Sequence, residues 1–232
     1  GNLRRKFSLN IDWHDKFAIA GDTLVIGSGA IYAVDRTTGR QQWTRETRRS
    51  LYSPVIANET VYFSDLGHVR AVTLRSGEDR WTTDTSNIAS RSMASQLSAA
   101  GNVKNSIGFT QLRSRRSSGG PLTSQLAVTD ERVYVLNNEH HLIALTADTG
   151  EIAWTTAIDT NRRGLGAPVV VGEHVYVSGN IVRAVSIEDG VVEASISLPV
   201  GEEASPPVIV DGIAFVSIRG SDAYFFAALT PN

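Results

Sequence analysis

Short apolar runs separated by pairs of polar residues recur along this chain. "SPVIANETVYF" (Ser53 to Phe63) holds two such runs split at Asn58-Glu59. "APVVVGEHVYV" (Ala167 to Val177) splits at Gly172-Glu173, and "PPVIVDGIAFV" (Pro206 to Val216) at Asp211-Gly212. β-Branched and aromatic runs joined by such dipeptides predict β-hairpins. A third run follows each hairpin, as in "HVRAVT" (His68 to Thr73). No stretch carries a helical period long enough to compete with this pattern.

After the third run comes a phrase written four times. "AVDRTTGRQQW" spans Ala33 to Trp43, "AVTLRSGEDRW" Ala71 to Trp81 and "ALTADTGEIAW" Ala144 to Trp154. "AVSIEDGVVEA" (Ala184 to Ala194) keeps the frame without the tryptophan. The glycine marks a turn needing positive φ, and a fourth run carries the indole. Four antiparallel strands in about 38 residues make one blade of a β-propeller. The motif glycines Gly39, Gly77, Gly150 and Gly190 lie 38, 73 and 40 residues apart, so the middle spacing is almost doubled.

The phrase has a physical reading. Small Ala33, Ala71, Ala144 and Ala184 let a neighbouring side chain lie flat over the third strand. Trp43, Trp81 and Trp154 then reach across to the adjacent blade. Burying an indole removes ~150–250 Å² from water, a gross gain of about 4–6 kcal/mol per junction at ~25 cal/mol per Å².

Ala-x-Asp-x-x-x-Gly-x-x-x-Trp resembles the tryptophan-docking motif of the PQQ-like quinoprotein propellers. The copy at Ala33 to Trp43 matches it fully, while Thr73 and Thr146 replace the aspartate in the next two. The resemblance covers most of the chain outside residues 86–120. It implies an all-β propeller and an address in the periplasm or at the cell exterior. The family holds quinone-dependent dehydrogenases as well as non-enzymatic members, among them the lipoprotein that assists outer-membrane β-barrel assembly. Fold alone does not choose between them.

The whole chain, 1–232, reads as a single propeller domain. Its clear units are 16–45, 52–83, 124–157, 166–198 and 205–230, making five four-stranded antiparallel blades, or six with a degenerate one. The last unit stops after three strands. Residues 3–9 ("LRRKFSL") are expected to supply its fourth, with Phe7 near the tryptophan slot; the other reading is an incomplete ring, a longer array cut at both ends.

Residues 86–120 do not repeat. They hold nine serines, no acidic residue and five basic ones: Arg91, Lys104, Arg113, Arg115 and Arg116. The segment thus carries +5 in a chain of net charge −2, leaving −7 elsewhere. It is either a Ser/Arg-rich insertion or the degenerate blade. Strands alternate direction, so links between blades emerge on the same face as the second-to-third hairpins "SDLGH" (Ser64 to His68) and "NNEHH" (Asn137 to His141). The five cationic residues, with His68 and His140, are therefore the candidate contacts for a protein partner or a small anionic ligand at the channel mouth.

Composition narrows the rest. The chain has 232 residues, 41% hydrophobic and 20% charged, ordinary for a globular domain. Without cysteine, disulfides, thiolate metal sites and a cysteine nucleophile are excluded. No apolar run reaches the ~20 residues of a membrane span. Gly1 stands at the start without methionine, so a missing leader says nothing about location. Adjacent His140 and His141 make a poor chelate, and the turn at Asp35 to Gly39 offers too few oxygens for calcium; no metal site is expected. Near-neutral charge and the lack of interleaved aromatics argue against nucleic acid. A catalytic aspartate or calcium ligand has no match in the sequence, so no cofactor is expected. The reading is a non-catalytic interaction scaffold; the alternative is a fragment of a PQQ-dependent dehydrogenase, which would carry PQQ with calcium.

Overall fold

The computed structural model describes residues 16–48, 52–86, 88, 124–158, 167–211, 213–220 and 224–229. The described strands form five antiparallel sheets. The first holds β1 (Lys16–Ala20), β2 (Thr23–Gly27), β3 (Ala30–Asp35) and β4 (Gln41–Glu46). The second holds β5 (Val55–Ala57), β6 (Thr60–Asp65), β7 (His68–Thr73) and β8 (Asp79–Asp84). The third holds β9 (Ala127–Val128), β10 (Arg132–Leu136), β11 (His141–Thr146) and β12 (Ile152–Ala157). The fourth holds β13 (Val169–Val171), β14 (His174–Val177), β15 (Ile181–Ser186) and β16 (Val192–Ser197). In each the spatial order follows the chain. The expected units agree with these bounds to within a few residues.

The fifth sheet differs. β17 (Glu203–Ala204) and β18 (Val208–Val210) pair with different stretches of β19 (Ile213–Arg219), and β20 (Tyr224–Leu229) pairs with its other edge. β17 and β18 are one first strand interrupted at Pro206-Pro207, which have no N–H to give the ladder. Ser205 bridges the break: its N–H donates to Ser217 O at 2.8 Å, and its Oγ accepts from Ser217 N–H at 3.1 Å. β20 is thus the third strand of its meander. Residues 3–9, expected beside it, lie outside the described residues.

Local chemistry sets the turns. Asn58 and Glu59 adopt φ of 48° and 56°, the doubly left-handed geometry of a two-residue hairpin. Before each motif glycine the ladder shifts by one residue, as between Ala71 and Val72. The turn then closes with a bond from the glycine N–H to the residue four earlier, as Gly77 N to Thr73 O at 2.8 Å. Where that residue is Asp35, its carboxylate also accepts from Thr37 N–H and Thr38 N–H at 2.8 and 2.7 Å.

First strands lie side by side, β1 against β5, β5 against β9 and β9 against β13, so the first four sheets share an inner edge around an axis. The described second and third sheets adjoin directly, although the chain between Asp84 and Ala127 is long. Between sheets lie the apolar cores. Val25, Ala33 and Trp43 meet Val61, Phe63 and Leu74; Tyr62, Ala71 and Trp81 meet Val133, Val135 and Leu145; Tyr134, Ala144 and Trp154 meet Val175, Val177 and Val185.

At three junctions the indole follows one geometry. Trp43 Nε1 donates to Leu74 O at 2.8 Å, Trp81 to Ala147 O at 2.8 Å and Trp154 to Ile187 O at 3.0 Å. Each ring lies on the glycine of the next sheet's turn, so close that a Cβ on Gly77, Gly150 or Gly190 would sit 2.5–2.6 Å from ring carbon. Two residues beyond the indole, Arg45 Nε, Thr83 Oγ1 and Thr156 Oγ1 donate to those same glycines' carbonyls at 2.5, 2.6 and 2.5 Å. The alanines act differently from the sequence expectation. Ala71 sits in register between Tyr62 and Trp81 of its own sheet, and those two rings meet above it at 5.9 Å. Glycine, not alanine, takes the neighbour's ring.

Candidate functional site

One end of the assembly carries the β2–β3, β6–β7, β10–β11 and β14–β15 hairpins. The links from each sheet to the next leave and return there, because the fourth strand runs toward the end where the second strand finishes. Asp65 closes β6 and pairs with His68 across Leu66-Gly67, both with positive φ. This fixes the Asp65 side chain beside the preceding link, 10% exposed. Its Oδ1 accepts from Arg48 N–H at 2.7 Å, and its Oδ2 lies 3.6 Å from Arg70 Nη1. Arg70 also donates to Asp79 Oδ1 at 2.8 Å, and its guanidinium lies 5.4 Å from the Phe63 ring centroid. Thr47 Oγ1 ties the link to Gly29 O at 3.1 Å.

The result is a polar crevice of about 400 Å³ between the first two sheets, lined by Glu46, Thr47, Arg48, Asp65, His68, Arg70 and Thr82. Its formal charges balance at neutral pH, with Arg48 and Arg70 against Glu46 and Asp65. The buried carboxylate is already committed to a backbone N–H and a guanidinium. Among the described residues no three His, Asp or Glu side chains form a group able to hold a metal.

The roots of the 86–120 segment are fastened at this same end. Thr85 donates through both N–H and Oγ1 to Gly67 O, each at 2.8 Å. Asn137, buried at the start of the β10–β11 turn, donates to Thr85 O at 2.9 Å. Its Oδ1 accepts from Glu139 N–H at 3.1 Å and His141 N–H at 2.9 Å. Ile88 is buried in the core between the second and third sheets. On return, Ser124 exchanges two bonds with Leu136, at 2.8 and 3.0 Å. The Gln125 amide then holds both N–H and C=O of Ser53, each at 3.1 Å.

Of the residues expected to contact a partner, His68 lines the crevice. His140 lies in the hairpin of the third sheet at the same end, with φ of 61°, and its carbonyl accepts from Ile158 N–H at 2.7 Å. Arg91, Lys104, Arg113, Arg115 and Arg116 lie outside the described residues. Sequence reasoning missed the anchors. Asp65 and Asn137 each stand three residues after the aromatic of the second strand, in "YFSD" and "YVLN". That shared spacing was the available signal.

At the opposite end the turns of the first two sheets set Asp22, Glu59 and Glu78 against Arg36, Arg40 and Arg75, and the acidic excess lies in the next two sheets. The turns of the third and fourth sheets hold Asp130, Glu131, Asp148, Glu151, Glu173, Glu188 and Asp189, with no lysine or arginine among the turn residues. A bond from Val191 N–H, with one from Ser186, holds the exposed Asp189 carboxyl below its usual value.

A family model described as outer membrane protein assembly factor BamB matches residues 4–110 and, in a second match, 67–216. A search of curated proteins found no match. Among solved structures, the chain is similar to the computationally designed Ika8 protein at 10% identity and a TM-score of 0.62, over 92% of this chain and 57% of that one. It is also similar to BamB from Moraxella catarrhalis at 16% identity and a TM-score of 0.45, over 90% of this chain and 70% of that one. The chain therefore spans little more than half of the designed protein's length, and the likeness to that structure bears on fold alone.

Proposed function

Because this chain belongs to the family of the outer membrane protein assembly factor BamB, we propose that it is a non-catalytic, extracytoplasmic scaffold that binds a protein partner. The contact surface is the hairpin end. One observation carries this reading: the polar crevice and both roots of the cationic segment are built into the same end of adjoining sheets. Thr85, Asn137 and Ser124 hold those roots by backbone bonds, which presents the segment from a rigid base.

Charge supports the orientation. Arg91, Lys104, Arg113, Arg115 and Arg116 would meet carboxylates of the partner, or of a small anionic ligand, at the channel mouth. The carboxylates of the far end would repel the same surface, so a diffusing acidic partner meets the correct end first. Asp65 and Arg70 support a binding reading over a catalytic one, since each is spent on holding the crevice walls.

Deletion of residues 90–118 tests this. The shortened protein should keep its melting temperature and lose capture of its partner from an extracytoplasmic extract. Undiminished capture would remove the segment from the contact surface. PQQ with calcium should leave the melting temperature unchanged; a rise, together with dye-linked alcohol oxidation, would favour the dehydrogenase alternative.

A further inference from the structure

The fourth strands β4, β8, β12 and β16 are the outermost of their sheets, and each pairs with its third strand alone among the described strands. The ladder shows which of their backbone groups are left over. Leu198 N–H donates to Asn180 O at 3.0 Å, in register with the β15–β16 pairing. Hydrogen-bonded pairs alternate with non-hydrogen-bonded ones. The backbone groups of Ala194 and Ile196 therefore turn toward β15, and those of Ser195 and Ser197 turn away. Thr85 N–H to Gly67 O at 2.8 Å and Ile158 N–H to His140 O at 2.7 Å set the same phase in β8 and β12. There the outward groups belong to Thr82 and Asp84, and to Thr155 and Ala157. The matching positions of β4 are Thr44 and Glu46.

A row of unpaired N–H and C=O groups is a template for another strand, and proteins commonly guard it with charge. The first two sheets do so, with Glu46 and Asp84 at outward positions. β16 does not. From Ala194 to Leu198 it reads "ASISL", with Ser195 and Ser197 exposed. Its one carboxylate, Glu193, sits where the register shifts. It is drawn inward over the sheet, its Oε2 lying 2.6 Å from Nε2 of His174 on β14.

The edge also fits itself. About a two-fold axis at Ile196, Ser195 of one copy faces Ser197 of the other, and both carry outward groups, so each such pair is hydrogen-bonded. Ile196 then meets its own counterpart in the non-hydrogen-bonded pair between them, where side chains approach most closely. The same operation on β4 sets Arg45 against itself, a like-charge pair. On β8 and β12 it centres on Thr83 and Thr156. Of the four edges, β16 alone puts an apolar pair on the axis.

We propose that a second copy of this chain adds its β16 antiparallel to β16, joining two four-stranded sheets into one continuous sheet. The contact is isologous and closes as a dimer. It lies on the outer edge of the fourth sheet, apart from the crevice between the first two, so it and the partner-binding reading stand or fall separately.

A single thiol reads the pairing directly, because the chain has no cysteine. Ile196→Cys sets the thiols of two copies opposite each other in a non-hydrogen-bonded pair, with Cα atoms ~4.5 Å apart, within disulfide reach. Mild oxidation should link this variant into a dimer on non-reducing electrophoresis, far ahead of Thr156→Cys, which carries the thiol at the same place on β12. In the unmodified chain, light scattering coupled to size exclusion should show the mass rise with concentration from 25.0 kDa toward twice that value. Ser195→Pro removes an N–H that β15 does not use and should hold the protein monomeric. Ser197→Lys repeats the test by charge should the proline variant fail to fold by circular dichroism. Unmodified protein that stays monomeric at every concentration overturns the proposal, as do equal cross-linking of the two thiol variants and a folded proline variant that still dimerises.

Discussion

The junction between the third and fourth sheets and the one between the fourth and fifth begin alike and end differently. Both carry a tyrosine on the second strand, Tyr134 and Tyr176, and an alanine beside it, Ala144 and Ala184. At the former, Ala144 pairs with Trp154, whose ring lies on Gly190, and Thr156 bonds the Gly190 carbonyl. At the latter, Ala184 pairs with Ala194, and Ile196 stands where the threonine would be. A small apolar pocket lined by Tyr176, Val182, Ala184, Ala194, Ile196 and Ala214 marks the place. The buried cluster there is reduced to Val182, Ala204, Val216 and Ile218, helped by bonds from Leu198 N–H to Asn180 O and Ala204 N–H to Gly179 O. In an array stabilised by nearest-neighbour contacts, such a difference makes stability local. One substituted indole in the sequence divides the molecule into four tightly joined sheets and a fifth held more weakly.

The strongest way to break this contrast is to make the third junction resemble the fourth. Trp154→Ala should cost about 3–5 kcal/mol, measured by denaturant titration; a loss under about 1 kcal/mol would mean the indole is no anchor. Gly150→Ala attacks the receiving side of the neighbouring junction, between the second and third sheets. A methyl there meets the Trp81 ring at 2.5 Å and must also adopt φ of 71°. Left-handed backbone costs roughly 1–2 kcal/mol and overpacking about 1–3, so a loss of about 2–5 kcal/mol is expected in the same titration. Thr156→Val keeps shape and removes one hydrogen bond to Gly190, for about 1 kcal/mol.

The smallest expected effect is a matter of pH. Burial raises the phenols of Tyr62 and Tyr134 above their ordinary value of 10.0. The folded state then keeps protons that the unfolded chain has already lost. Stability from this source is full below about pH 10 and falls as the pH climbs through the folded values. Melting temperature against pH should therefore drop more gently on the alkaline side in Tyr62→Phe. An identical alkaline limb in that variant would show that this phenol plays no part.

Much of the architecture was legible in the residues. Strand pairs, turn dipeptides and the four-fold phrase fixed the unit bounds because each is a local pattern with a local cause. Relations between sheets were less visible. The phrase marks Gly77, Gly150 and Gly190 as turn glycines, yet their second task, admitting a neighbour's indole, needs knowledge of which sheets adjoin. The same holds for Ala71, which floors its own sheet's tyrosine and tryptophan. Asp65 and Asn137 stood at a repeated spacing in the sequence, but their targets, Arg48 N–H and Thr85 O, are backbone atoms that no composition signal distinguishes.

Native-state hydrogen exchange tests the unequal junctions most directly. Amides of β19 should exchange through an opening of lower free energy than those of β6, β10 and β11, and Trp154→Ala should bring β14 and β15 down toward the level of β19. Equal protection across all five sheets, unchanged by that substitution, would contradict the account.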